Sequence, residues 1–165
     1  MKILVLSDSH SALSFMFRCA EKVRPDAIVH LGDYFDDGET LAEEYPRIPF
    51  YQVPGNCDRY RAPIGAREIL IPHIFGVKLY LTHGHRHNVK FYTGSLIHDA
   101  RAAGAAAVLY GHTHQAECYQ EEDGLWVLNP GSAGSYGGSA GIIEVNNGKI
   151  ISCCLIGQQE LEDMV

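Results

Sequence analysis

Short apolar runs in this chain end again and again in Gly, Asp, Asn or His, and that coupling constrains the fold more than any other feature. The groups are Asp8-Ser9-His10, Gly32-Asp33, Gly55-Asn56-Cys57-Asp58, His83-Gly84-His85 and Gly111-His112-Thr113-His114, and four of the five directly follow an apolar run. Parallel sheets deliver reactive groups from the carboxyl ends of their strands, so residues far apart in sequence converge on one sheet edge. Hard oxygens and imidazoles gathered at one edge point to a divalent metal site.

The spacing between these groups predicts the elements that carry them. Residues 2–7 read as a buried strand, and 11–23 as a helix with Leu13, Phe17, Ala20 and Val23 on one face, stopped by Pro25. A strand over 27–31, a short helix over 39–45 and a strand over 50–53 complete a strand–helix alternation that implies a parallel sheet with right-handed crossovers. Strands over 67–71 and 77–82 are joined by a turn around 72–76; a helix over 91–103 then precedes a buried strand over 106–110. Segments 115–120, 126–128, 141–145 and 149–154 read as antiparallel strands, the last two joined at Asn146-Asn147-Gly148, which accepts positive φ. The acidic stretch 158–165 is expected to be a polar, frayed tail.

Composition narrows the function classes. At 165 residues with 46% hydrophobic and 20% charged residues, the chain is an ordinary soluble globule, expected to form one domain over 1–165. No signal-peptide pattern opens it and no apolar run reaches the ~18 residues of a membrane span, so the expected location is the cytoplasm, without a membrane partner. The net charge of −7, with Lys and Arg scattered, argues against a long nucleic acid held by phosphate contacts, but not against a small phosphorylated substrate. The five cysteines, an odd number with no C-x-x-C pair, are expected to be reduced, and all but Cys57 buried.

Each motif alone is a modest signal. Gly32-Asp33 and Gly55-Asn56 are common turns, and paired histidines are common on surfaces. Their conjunction, every one at a strand end, is what favours a metal centre. In order and strand context, D-x-H, G-D, G-N-x-D, H-G-H and G-H-x-H resemble the calcineurin-like metallophosphoesterases. The resemblance is nearest to their small single-domain bacterial and archaeal phosphodiesterases, which also carry Cys after G-N and an Asn-Pro-Gly-Ser turn, here Asn129–Ser132. It runs from Met1 to about Ile156.

The resemblance implies an α/β fold: a four-layer αββα sandwich of two mixed sheets flanked by helices. It implies a dinuclear metal centre, with one ion held by Asp8, His10, Asp33 and His114, and the other by Asp33, Asn56, His83 and His112. Asp33 would bridge the pair. The mixed imidazole and oxygen set suits divalent transition metals, with Mn²⁺ favoured and Ni²⁺, Fe, Zn²⁺ or Co²⁺ acceptable. The implied activity is hydrolysis of a small phosphodiester by two ions about 3.5–4 Å apart, with a metal-bridging hydroxide as nucleophile. Asn56 would both ligate and donate an N–H towards the phosphoryl group.

Two departures matter. Cys57 stands where many larger members have a His that assists the leaving group, and a thiol is a poorer proton donor. His85, one residue beyond a ligand, is the alternative acid. After Asn129–Ser132, relatives often place a basic residue, whereas residues 133–138 here carry no charge. Asp58 is a candidate for orienting a neighbour. His30 reads as a core histidine, and His73, His87 and His98 as surface ones. Tyr34, Phe35, Tyr60 and Tyr92 are either pocket rim or core. Alternative functions are a phosphomonoesterase or nucleotidase on the same site, or a protein-binding scaffold of the same fold with a degraded metal site; here no ligand position is lost. Small relatives commonly self-associate, so a dimer or tetramer is compatible with the resemblance.

Overall fold

The apolar runs become the strands of two sheets, and the periodic segments the helices that cover them. The computed structural model describes residues 1–164. In chain order it contains β1 (Lys2–Leu6), α1 (Leu13–Val23), β2 (Ala27–His30), α2 (Phe35–Glu44), β3 (Phe50–Gln52), β4 (Ile69–Leu70), β5 (His73–Ile74) and β6 (Val77–Thr82). After a 3-10 turn at His85–His87 follow α3 (Gly94–Ala102), β7 (Ala107–Leu109), β8 (Glu117–Gln120), β9 (Trp126–Asn129), β10 (Ser139–Asn146), β11 (Lys149–Gly157) and α4 (Gln158–Asp163).

The first sheet has the order β11-β10-β1-β2-β3, and the second runs β4-β6-β7-β9-β8 with β5 also on β6. Within the first, β1, β2 and β3 are parallel while β10 and β11 are antiparallel. Within the second, β6, β7 and β9 are parallel while β4 and β8 are antiparallel. Both sheets are therefore mixed.

Strand periodicity builds the layers. Ile3 and Val5 of β1 face the second sheet and meet Leu79, Leu81, Ala107, Leu109 and Leu128. Leu4 and Leu6 point the other way, onto Phe15, Met16, Cys19, Leu41 and Leu161 of α1, α2 and α4. The outer face of the second sheet, with Tyr80, Val108 and Val127, is covered by Leu96, Ile97 and Ala100 of α3. The result is helices, sheet, sheet, helix. With ~1.5–3 kcal/mol for each fully buried aliphatic side chain, β1, apolar on both faces, ties three of the four layers together. No helix of the described residues is long and apolar enough to cross a membrane.

Several expectations are corrected. Residues 158–163 are helical rather than frayed, because Leu161 is buried against the α1 side; the last residue of the expected tail, 165, lies outside the described residues. Glu160 caps this helix by accepting the Gly157 N–H at 2.9 Å. Helix α2 starts at Phe35, before the expected 39, and runs through Gly38, where a side chain would collide with Gln52. Strand β9 pairs in parallel with β7 rather than joining a purely antiparallel run. His87 is not a surface residue: its side chain is 9% exposed, with Nε2 3.3 Å from Asp99 and its ring edge-on to Tyr80. Cys154 is exposed and Cys118 and Cys153 are half-buried, so only Cys19 is a fully buried thiol. His30 is fully buried, as expected of a core histidine, and His73 and His98 are exposed.

Candidate metal centre

The parallel strands β1, β2, β6 and β7 end on one side of the sandwich, and the chain leaves them through unusual backbone conformations. Asp8, His10, Asp33, His112 and His114 all have positive φ, between 44° and 69°. Left-handed conformations are costly for residues with a Cβ, and they cluster where structure over-determines them at functional sites. Here they accompany a gathering of Asp8, His10, Asp33 and His114 at the sheet edge, with both aspartates buried and His114 exposed.

Four of these side chains form one donor cluster. One ligating atom each from Asp8, His10, Asp33 and His114 lies within 4.8 Å of the others. His114 Nε2 is 3.1 Å from Asp8 Oδ1, and His10 Nε2 is 3.9 Å from Asp33 Oδ2. Asp8 Oδ1 and His10 Nε2 are buried without a hydrogen-bond partner. Orphaned buried polar atoms are rare, and two of them facing one small space fit a cation. Oxygen and imidazole donors suit a divalent transition metal.

A second group converges beside the first. His83 Nε2 is 3.5 Å from Asp33 Oδ1 and 3.1 Å from Asn56 Oδ1, and the His83 and His112 rings lie 5.1 Å apart. Asp33 thus presents Oδ2 to one group and Oδ1 to the other. Burial opposes its ionisation, but His83 and the Cys57 N–H, which donates to Oδ1 at 2.9 Å, hold its carboxyl below the ordinary value. Burial and the neighbouring His83 press His112 down to about 4, which leaves its imidazole neutral, the state that ligates metals. His83 Nδ1 is 2.8 Å from the Leu31 carbonyl, the kind of outer contact that orients a ligating ring and leaves Nε2 for the metal. Of the seven residues that the resemblance implies as ligands, Asp8, His10, Asp33 and His114 form one donor cluster, and Asn56, His83 and His112 lie beside it around Asp33 Oδ1 and the His83 ring.

Supporting contacts within the chain hold these loops. Asp58, almost completely buried, accepts N–H groups from Asp33 (2.8 Å), Phe35 (2.8 Å) and Gly55 (2.7 Å). Gly32 and Gly55 permit the close crossing, because a Cβ on Gly55 would overlap the Asp33 carboxylate. Asp8 is gripped three ways. Its Oδ2 accepts Ser7 Oγ–H at 2.5 Å and the His112 N–H at 3.0 Å, and its carbonyl accepts Ser132 Oγ–H at 2.8 Å. Asn129 donates to the Gly111 carbonyl and to Thr113 Oγ1. The Asn-Pro-Gly-Ser turn therefore clamps the first and last metal-site loops together. The roles of Ser7, Asn129 and Ser132 are invisible to spacing rules; the one signal was the turn motif itself.

The remaining candidates sit around this core. The His85 ring lies 5.4 Å from His83 and 6.1 Å from His112, with Nδ1 buried and unpartnered. Burial, then the neighbouring His83, lower its pKa. Cys57 is exposed, yet desolvation of its thiol and the Asp33 carboxylate push it up to about 11, so it is an uncharged thiol at neutral pH. Phe35 is core, Tyr60 and Tyr92 are exposed, and Tyr34 is half-buried with its ring edge-on to His10 at 4.9 Å. Arg61 covers Tyr34.

A family model described as the calcineurin-like phosphoesterase superfamily domain matches residues 1–148. A probable metallophosphoesterase of Mycoplasma pneumoniae is 31% identical over 134 residues, covering 79% of this chain and 78% of that one. Among solved structures, an archaeal phosphodiesterase superposes with a TM-score of 0.70 at 20% identity, covering 95% of this chain and 99% of that one. Vps29 of Entamoeba histolytica does so with a TM-score of 0.71 at 21% identity over 95% and 99%. At these identities the two structures establish the shared fold alone, and function rests on the site.

Proposed function

The chain belongs to the calcineurin-like phosphoesterase superfamily, and from that premise we propose that it hydrolyses small phosphodiesters in a dinuclear, metal-dependent site. The observation that carries this reading is the donor cluster of Asp8, His10, Asp33 and His114 with its unpartnered buried atoms. The Asn56, His83 and His112 group, sharing Asp33, is the place for a second ion. Mn²⁺ is the ion we expect to support most activity, followed by Ni²⁺, Fe, Zn²⁺ or Co²⁺.

Two bound ions supply Lewis acidity toward the phosphoryl oxygens and make water acidic enough to act as a nucleophile. The chain's own residues do the rest. Asp33 spans both donor groups and fixes their separation. Asn56 turns Oδ1 towards His83 and leaves Nδ2, 3.4 Å from the Cys57 sulfur, as a donor to a phosphoryl oxygen. The His85 ring lies 5.4 Å from His83, and burial lowers its pKa, so the neutral imidazole is set to accept a proton rather than to give one, and departure of the leaving group depends more on that oxygen's own acidity. The uncharged Cys57 thiol adds no negative charge where an anionic substrate must sit.

The test is turnover of aryl phosphodiesters and aryl phosphomonoesters by protein loaded with Mn²⁺, Ni²⁺ or Zn²⁺. Diesters should be preferred; turnover of monoesters alone would move the reading to a phosphomonoesterase, and no turnover with two ions bound would refute catalysis. Asp33→Asn should lose bound metal and activity by more than the roughly 10–100-fold that removing an outer-shell partner costs, with an unchanged fold by circular dichroism. Metal stoichiometry near wild type in this variant would refute the bridging role.

A further inference from the structure

The loop after Asn129–Ser132 carries no charge, so any cationic contact with substrate comes from elsewhere. Residues 59–67, Arg-Tyr-Arg-Ala-Pro-Ile-Gly-Ala-Arg, hold three arginines and no acid in a chain whose net charge is −7. This loop springs directly from the Gly55–Asp58 metal-site motif. Its first turn is locked to the site, because the Arg61 and Ala62 N–H groups donate to the Asp58 carbonyl at 3.0 and 2.9 Å.

Arg61 is held in place from two further sides. Its Nη1 donates to both oxygens of Asp36, at 2.9 and 2.7 Å. Its guanidinium lies over the Tyr34 ring, with Cζ 3.9 Å from the centroid. Tyr34 directly follows Asp33, and the far side of the contact chain is His10, met edge-on at 4.9 Å. The guanidinium is thus one aromatic ring away from a residue of the donor cluster. Nε and Nη2 make no hydrogen bond among the described residues, and the side chain is 37% exposed. An exposed ion pair contributes little to stability. Stability alone therefore gives little reason to fix this side chain so firmly. A rigid, half-used fork of N–H donors is what binds a carboxylate or phosphate in two-pronged fashion.

We propose that Arg61 is a specificity-determining residue that binds a second anionic group of the substrate, one ring's width beyond the scissile phosphate. The substrate class is then a small phosphodiester carrying a further phosphate or carboxylate on one of its alcohol arms. This inference rests on the phosphodiesterase reading for turnover, but not for binding. Arg59 and Arg67, on the same loop and without a carboxylate partner among the described residues, raise the local potential that draws such an anion in.

The binding experiment separates the two readings. Calorimetry on Mn²⁺-loaded protein compares propane-1,3-diol bisphosphate with the monophosphate, and the carboxylate-bearing monophosphate of 3-hydroxypropanoate reads the other anion. Wild type should prefer a ligand with two separate anionic groups by ~10–100-fold, the effect of one hydrogen-bonded charge contact. Arg61→Ala should abolish that preference, Arg61→Lys should recover part of it, and Arg47→Ala, at the opposite end of β3, should keep it whole. No preference in wild type, a preference that survives Arg61→Ala, or an equal loss for both ligands would overturn the assignment. Should Arg61→Ala fail to fold, the Lys variant reads the same ratio. If no diester is turned over but the preference obeys Arg61, the catalytic reading fails and this one stands.

Discussion

Replacing Asp58 tests how the site is held before any metal arrives. Its carboxylate accepts three backbone N–H groups: Asp33 and Gly55 share Oδ2, and Phe35 takes Oδ1. Asp58 is 1% exposed, so after Asp58→Ala no bulk water replaces the lost acceptor. A hydrogen bond to a charged group contributes about 1.5–3 kcal/mol, and because the bonds share one acceptor they are not additive. The expected loss is about 3–5 kcal/mol, as for other buried charged networks broken from one side. Asp58→Asn keeps one oxygen for Asp33 and Gly55 but turns an NH₂ towards the Phe35 N–H, and should lose about 1–3 kcal/mol. Urea unfolding in the presence of chelator isolates this term from metal binding. A metal titration of the folded variants should then show a roughly 10–100-fold weaker site, because Asp33 and the Gly55-Asn56 turn lose their common anchor. An Ala variant within 1 kcal/mol of wild type, or an Asn variant weaker than the Ala one, would refute the reasoning.

Two further outcomes probe the same architecture. Gly111→Ala puts a Cβ into Ser7 Oγ and 2.6 Å from Asp8 Oδ2; it should weaken metal binding on the order of 10–100-fold while costing only about 1–3 kcal/mol of stability, as read by parallel metal titration and thermal unfolding. His30 is fully buried and burial holds its pKa at about 3, so below the ordinary value of about 6.5 the unfolded chain takes up a proton that the folded chain refuses. Stability is full above that value and falls through the window down to about 3, by about 2 kcal/mol at pH 5 from this group alone; in chelator, His30→Gln should flatten the profile, and parallel profiles would refute the assignment.

Much of this was legible in the sequence because strand-end position is a one-dimensional property. An apolar run followed by Asp-x-His or Gly-His-x-His reports both the strand and the direction in which its end points, which indicates a metal cluster at one sheet edge, while the individual donors follow from the resemblance to the calcineurin-like metallophosphoesterases. What could not be read depends on distances between loops. Asp58 follows Asn56 by two residues, yet its three partners lie on the loops of both β2 and β3. Ser132 reaches Asp8 across 124 positions. The terminal helix is not legible in the sequence because Leu161 is the one apolar residue of the polar stretch 158–163, and its partners are on α1 and the first sheet. Likewise His87 shows no motif; the Tyr80 ring and Asp99 enclose it only after α3 has packed.

The division of labour among the loops follows from these contacts. The Asn129–Ser132 turn spends its polar groups on the Asp8 carbonyl, the Gly111 carbonyl and Thr113, so it stabilises the left-handed backbone of the donor residues and has no side chain left over for substrate. The Gly55–Asp58 turn does the same for Asp33, but the chain then continues outward as the arginine-bearing loop. One loop is therefore committed to preorganising the metal donors, while the other joins a metal-site anchor at Asp58 to a substrate-facing cation at Arg61, three residues on. A change that loosens Asp58 should consequently disturb ion binding and anion selectivity together, whereas a change at Arg61 should disturb selectivity alone.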